Sequence, residues 1–301
     1  MLEKVRKNKY GYELKEKPTA EMQRKNFEET YFQECQNGYE PAYTEEEIRF
    51  FTNKAAQKEM ALQRIWERDS EKKSEKRKAL DIGCGEGFLL KYLYQKGYDV
   101  TGIDFTDYAI SKYAPELLGH FMRGDCYDKL QMLAGAGRKF DLINMDSVLD
   151  MVQRPGELLE LMKQVLAKGG LVACKVGNNY SILQMKLLEE GVLAKDYWLD
   201  EEGHPWYFHA QGLEDFFKDH GYLCMDVYAE GLSEFFLLHT RTNYYEHPEA
   251  GKECYLAKVR LENLLHERSP ERAQEIMRQL GRMGLGRETV GIFRLGTDGK
   301  R

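Results

Sequence analysis

The chain contains no apolar run approaching the roughly 18–20 residues needed to span a bilayer. Its opening, MLEKVRKNKYGYELKEKP, holds no apolar stretch of the kind a secretory leader requires. These absences lead to the expectation of a soluble cytoplasmic protein with no membrane partner. Basic charge is not in excess: 44 Lys and Arg against 50 Asp and Glu leave a net charge of -6 at pH 7. A broad electrostatic footprint for nucleic acid is therefore not expected, because phosphate binding needs a basic face. The six cysteines, Cys35, Cys84, Cys126, Cys174, Cys224 and Cys254, form no C-x-x-C pair and no zinc-like spacing. Reduced thiols acting mostly as small buried hydrophobes are expected, with no metal site. No internal repeat or low-complexity tract is apparent. What is present is 301 residues, 42% of them hydrophobic and 31% charged. That is ample apolar material for the core of one large domain with an appendage.

Residues 1–78 read as a polar, mostly helical cover broken at Gly11, Pro18, Gly38 and Pro41. Thr44 and Glu47 have capping-box spacing, and Ile48, Phe51, Ala55, Lys58, Leu62, Ile65 and Trp66 recur on one helical face beyond them. The mixed charge run from Glu67 to Lys78 reads as a solvated boundary. From Ala79 short apolar runs alternate with amphipathic segments: ALDIG, FLLKYLYQKG, YDVTGID, a helix from Asp107, FDLINM, a helix GELLELMKQVLAKGG, and LVACKV. Such alternation implies a parallel sheet with helices on both faces and right-handed crossovers. A helix QGLEDFFKDHG then precedes strand YLCMDVYA, and TVGIFRLG reads as a last strand. Roughly fifty residues of helical pattern separate those two strands, far more than a hairpin loop needs. The resulting division is a helical cover over 1–78, a core over 79–230, a helical insertion on the acceptor side over 231–288, and a last strand and tail over 289–301.

Asp81-Ile82-Gly83-Cys84-Gly85-Glu86-Gly87 lies where the first core strand turns into a helix, which is where an open α/β sheet places its ligand. A dinucleotide fingerprint would put glycine where Phe88 stands, so NAD and FAD are disfavoured. No Gly-Lys-Ser/Thr follows, which excludes a phosphate-binding P-loop. Asp104 ends the next strand, where a carboxylate can accept both hydroxyls of a ribose. Gly124-Asp125-Cys126 follows a third strand, and Asp125 there can accept from an adenine amino group. Singly, Asp81 and Asp104 could be helix caps. Together, in order, at successive strand ends, they point to a nucleoside site.

Through LDIGCGEGF, GID, GDCYD and FDLINM, residues 79–176 resemble the class I S-adenosylmethionine-dependent methyltransferases. The resemblance implies a doubly wound, Rossmann-like, mostly parallel seven-stranded α/β sheet whose last strand is antiparallel. It also implies S-adenosylmethionine as cofactor and S-adenosylhomocysteine as product. Gly83, Cys84, Gly85 and Gly87 would pass beside the methionyl part, with Asp81 supporting the loop and the amino group. Asp104 would hold the ribose, Phe105 would pack on adenine, and Asp125 with Cys126 would meet the adenine edge. Asn144 and Met145 would lie beside the sulfonium, with Asp146 further toward the acceptor. Segments such as VGNNYSILQ, HPWYF and EFFLL resemble a bacterial subgroup from surface-polysaccharide and natural-product clusters, including carboxyl O-methyltransferases that cap a peptide C-terminus.

Methyl transfer from a sulfonium requires in-line alignment and exclusion of water. A hydroxyl acceptor also needs a general base, whereas a carboxylate is already ionised at pH 7. His204 and His209, flanking Pro205-Trp206-Tyr207-Phe208, and Asp146 are the candidate bases. Lys175, Asn178, Asn179 and Arg241 are candidates to fix a carboxylate, with Tyr207 beside them. Tyr31, Tyr39 and Tyr43 could form a lid over the acceptor or simply pack between helix and sheet. The motif at the end of the fourth strand reads Asn144-Met145-Asp146-Ser147, without the Pro-Pro-aromatic that the resemblance would require for a nucleobase or glutamine amide, so an oxygen acceptor is favoured. The size of the cover and insertion suggests an extended acceptor: a peptide C-terminal carboxylate first, a glycan hydroxyl second. A non-catalytic cofactor-binding regulator is the competing reading, since a fold does not fix a function.

Overall fold

The computed structural model describes residues 3–25, 42–68 and 76–296. The strands are β1 (Val5–Asn8), β2 (Gly11–Leu14), β3 (Lys78–Ile82), β4 (Asp99–Asp104), β5 (Phe121–Arg123), β6 (Phe140–Asp146), β7 (Leu166–Gly177), β8 (Trp206–Phe208), β9 (Tyr222–Glu230) and β10 (Glu288–Leu295). The helices are α1 (Ala20–Lys25), α2 (Glu45–Arg68), α3 (Phe88–Gln95), α4 (Tyr108–Tyr113), α5 (Cys126–Gly135), α6 (Pro155–Val165), α7 (Ile182–Glu189), α8 (Ala210–Asp219), α9 (Gly251–Arg268) and α10 (Pro270–Arg282).

Near-continuous apolar runs build the middle of a seven-stranded sheet of order β5-β4-β3-β6-β7-β10-β9. Strands β3 to β7 pair in parallel, and β10 runs antiparallel to both β7 and β9. Helices α5, α6 and α8 cover one face through Leu130, Leu133, Leu158, Met162 and Phe217. On the other face α2, α3 and α10 contribute Leu62, Ile65, Leu90, Leu93 and Met277. The strand order reverses beside β3, so the carboxyl ends of β3, β4 and β6 open one crevice.

Three features depart from the sequence expectations. The first residues form a β-hairpin instead of a helix, and β2 pairs with β8 to make a separate sheet of order β1-β2-β8. Gly11 permits this approach, because a Cβ there would lie 2.2 Å from the Tyr207 carbonyl oxygen. A pairing across so many residues leaves no local periodicity to read. Helix α6 stops at Val165, and the Ala-Lys-Gly-Gly run belongs to β7, whose pairing with β6 is irregular between Phe140 and Leu142. In α2 the capping box is formed, with Glu47 accepting from the Thr44 backbone at 2.8 Å, but Ile48 turns to solvent and Phe50 is buried. The segment 231–288 supplies α9 and α10, and α10 lies on β9 with Met277 in the same core as Tyr228.

Candidate active site

Where β3 ends, Gly83 adopts φ 70°, and a Cβ on it would stand 2.4 Å from Val148 Cγ2. Gly85 also has positive φ, 51°, but a Cβ there would meet nothing within 4 Å because it faces the crevice. Its amide donates to Asp104 Oδ2 at 2.9 Å, so the carboxylate that ends β4 also holds the loop. Gly87 caps α3 from beneath, its missing Cβ leaving room for Ile110 and Ala114. Asp125 caps α5 by accepting from the Tyr127 amide at 2.8 Å. Capping and ligand contact are thus compatible readings of the same carboxylate. Burial pushes the Cys126 thiol up to about 12 and the Cys84 thiol well above its ordinary value, which leaves both as neutral lining.

Gly83, Cys84, Gly85, Asp104, Asp125 and Cys126 line a cavity of about 1170 Å³ together with Asp81, Phe105, Asn144, Asp146 and Lys175, whereas Gly87, packed on Ile110 and Ala114 under the loop, is not among its lining residues. Asp81 is buried, and that burial, reinforced by the charge of Asp146, raises its carboxyl to about 7. Burial likewise raises Asp104, against the amides of Gly85, Thr106 and Phe105 that lower it. Buried carboxyls strained in this way suit a cation and hydroxyl donors. An open glycine cradle, a carboxylate at the end of β4 and a buried acid at the end of β3 fit a nucleoside joined to an amino acid.

A side chain that sequence reasoning left on a helix face completes the site. Lys58 of α2 donates to Asn144 Oδ1 at 2.9 Å and to both oxygens of Asp146 at 2.5 and 2.7 Å. Asn144 in turn donates to Asp81 Oδ1 at 2.7 Å. Burial would raise the Asp146 carboxyl, but Lys58 and Lys175 hold it below its ordinary value. The only signal was a lysine within an otherwise apolar stripe, a position that tertiary partners must satisfy.

Beyond Asp146 the rim continues along β7, β10 and β9. Lys175, opposite Asp146 in the β6–β7 register, lies 3.5 Å from Glu288 and 3.8 Å from Glu230. Lys54 of α2 is paired with Glu262 of α9 across the roof. Lys258 of α9 and Phe50 of α2 also line this part of the cavity.

Other candidates lie elsewhere. Met145 is fully buried in the core, because side chains alternate along β6 and its neighbours Asn144 and Asp146 take the crevice face. His204 sits 3.5 Å from Asp150 and 3.9 Å from Asp200. His209 accepts from the Gly212 amide at 2.9 Å as the cap of α8, with burial lowering its pKa. The Asn178 amide donates to the carbonyls of Gly284 and Gly286, and Tyr207 donates to the Asp200 carbonyl at 2.7 Å. Asn179 accepts from Arg287 at 3.0 Å. Arg241 is exposed in a short turn. None of these is among the described residues that line the cavity. Tyr43 is: its hydroxyl donates to Glu86 at 2.8 Å and its ring packs with Phe51, Phe88 and Tyr113. Tyr31 and Tyr39 fall outside the described residues.

A family model described as a methyltransferase domain matches residues 52–226. The chain is 29% identical over 156 residues to a ubiquinone biosynthesis O-methyltransferase of Caulobacter sp. (strain K31), covering 50% of this chain and 60% of that protein. It is 31% identical over 99 residues to one from Stutzerimonas stutzeri (strain A1501), covering 32% and 42% respectively. The match to these two curated relatives thus spans 60% and 42% of their lengths. Among solved structures, a SAM-dependent methyltransferase from Archaeoglobus fulgidus is similar with a TM-score of 0.46 at 18% identity, covering 78% of this chain and 93% of that one. The plantazolicin methyltransferase BamL, solved with a triazolic desmethylPZN analog and SAH, gives 0.46 at 15% identity and covers 84% of each chain.

Proposed function

This chain belongs to the class I S-adenosylmethionine-dependent methyltransferases, and from that premise we propose that it methylates a carboxylate oxygen, with a peptide C-terminus as the favoured acceptor. The observation that carries this reading is the makeup of the acceptor end of the cavity. Four lysines, Lys54, Lys58, Lys175 and Lys258, line it, and no histidine is among the described lining residues. S-adenosylmethionine, when bound, supplies an electrophilic methyl on a cationic sulfur. Asp104 would hold the ribose hydroxyls and Asp81 the methionyl ammonium, with the Gly83–Gly85 backbone open to the part between them. Asn144, fixed by Asp81 and Lys58, orients the end nearest the acceptor.

An acceptor carboxylate needs alignment and charge compensation but no proton removal. As the new oxygen–carbon bond forms and the sulfur–carbon bond breaks, the carboxylate and the sulfonium neutralise one another, leaving an ester and a thioether. A site that excludes water favours that loss of charge. A sugar hydroxyl, the second reading, must give up a proton, and Asp146, held ionised by Lys58, is a weak acceptor for it. That the curated relatives carry the name O-methyltransferase supports oxygen as the acceptor atom.

Turnover of methyl-labelled S-adenosylmethionine against free peptide C-termini and nucleotide sugars, followed by mild base, tests the reading. Base-labile label on the peptides is the expected result. Base-stable label on the sugars would overturn it in favour of the hydroxyl, and tight cofactor binding with no transfer to either pool would favour the regulator.

A further inference from the structure

Three of the four cavity lysines are matched by carboxylates: Lys54 by Glu262, Lys58 by Asp146, and Lys175 by Glu230 and Glu288. Lys258 differs. Among the described residues no carboxylate lies within ion-pair distance of it, and its Nζ stands 4.5 Å above the Phe50 ring and 4.6 Å above the Tyr255 ring. Glu262 and Glu288 act on it from beyond contact, while Lys54 and Lys175 repel it. Burial is the main influence on this group and disfavours its charge, so the protonated form is under-compensated. Lys258 is half-buried, and the two aromatic faces attract its ammonium without neutralising the charge. The neighbouring lysines have local partners, so Lys258 is the cation left to meet a charge that arrives with a ligand. Its place on α9 is also informative: it reaches the cavity from the segment inserted between β9 and β10, away from the glycine loop.

We propose that Lys258 is a specificity-determining residue that binds an oxyanion of the acceptor, the chemistry shared by a peptide carboxylate and a sugar-nucleotide diphosphate. This rests on the methyl-transfer reading of the cavity and extends it to the acceptor's recognition. Phe50 and Tyr255 flank the ammonium, and their rings limit its contact with water to part of its surface.

The test uses the full chain with S-adenosylhomocysteine present and two probes, hippurate for a C-terminal carboxylate and inorganic phosphate for the diphosphate. Limiting acetic anhydride labels Lys258, read by mass spectrometry, and at least one probe is expected to protect it. Lys258→Met keeps the length and apolar packing without the charge. It is expected to raise the acceptor KM by at least about tenfold, leaving kcat within about threefold and S-adenosylhomocysteine affinity unchanged, with Lys258→Arg restoring most of the loss. Labelling indifferent to both probes, or an unchanged KM in Lys258→Met, would overturn the proposal. So would a parallel loss of S-adenosylhomocysteine affinity, which marks a structural role. A base-stable product with Lys258 still protected would remove the carboxylate reading and leave this one standing. Base-labile product with Lys258 indifferent to both probes would do the reverse.

Discussion

The two ends of the cavity are built in different ways. At the proposed cofactor end, Asp81, Gly83, Gly85, Asp104 and Asp125 come from one short stretch of chain, two of them glycines with positive φ. At the acceptor end, α2, β7, β9, α9 and β10 each contribute a charged side chain, and α2 meets α9 through partners such as Asn53 and Asn263, 210 positions apart. Backbone recognition of a common cofactor needs a fixed loop shape, which glycines and strand-end carboxylates encode locally. Recognition of a particular acceptor needs side chains brought together by packing. The comparison therefore predicts that substitutions at the first end strike cofactor affinity and those at the second strike acceptor use.

The largest effect is expected at Asp104. Asp104→Ala removes the carboxylate that fixes Gly85 and that is proposed to hold the ribose, and cofactor affinity measured by calorimetry should fall by at least about a hundredfold. Circular dichroism should show the fold intact, and affinity within about threefold of the parent would dissolve the contrast between the two ends.

Lys58→Met strips Asp146 and Asn144 of their shared donor and should cost about 2–3 kcal/mol in denaturant unfolding. Asp146 lies below its ordinary value of 3.8 in the folded chain. The stability it contributes is therefore present above that pH and lost as pH falls through the lower folded value. Lys58→Met should erase this acid sensitivity, and an unchanged acid limb would show that the pair does not couple α2 to the rim.

Asp81 carries the opposite sign. Its carboxyl is raised from 3.8 to about 7. Its contribution to stability is thus complete below the lower value and lost as pH rises toward the higher. An arriving ammonium favours the ionised form, so cofactor binding near pH 6 should release up to about one proton. Binding enthalpies compared in buffers of different ionisation enthalpy would reveal it; identical enthalpies would place the ammonium elsewhere.

The smallest effects belong to the two histidines. His209→Ala should lose about 1 kcal/mol of stability through the α8 cap. His204→Asn should change kcat by less than about twofold. A tenfold fall in kcat at normal stability in either would return these side chains to the acceptor end.

The contrast also explains how far the sequence could be read. The glycine loop, Asp104 and Asp125 were legible because each is demanded by local backbone geometry at a strand end. The α2 helix was legible through its capping box and apolar period, but Lys58 was not, since a lysine in an apolar stripe says only that some partner exists. His204, His209, Tyr207 and Asn178 looked chemical by residue type, yet each satisfies backbone or carboxylate neighbours away from the cavity. Asn144 and Met145 were both expected at the site, but neighbours on a strand point to opposite faces, so only Asn144 reaches the cavity and Met145 enters the core.

By itself, then, the sequence determined the parallel core and the glycine loop with its strand-end carboxylates, because strand period, loop glycines and terminal carboxylates act over a few residues. Tertiary structure alone decided the hairpin's pairing with β8, the partner of Lys58 and the placing of Lys258 over Phe50. Pairing and charge balance depend on which distant segments share a low-dielectric space, and that is fixed only when the layers pack.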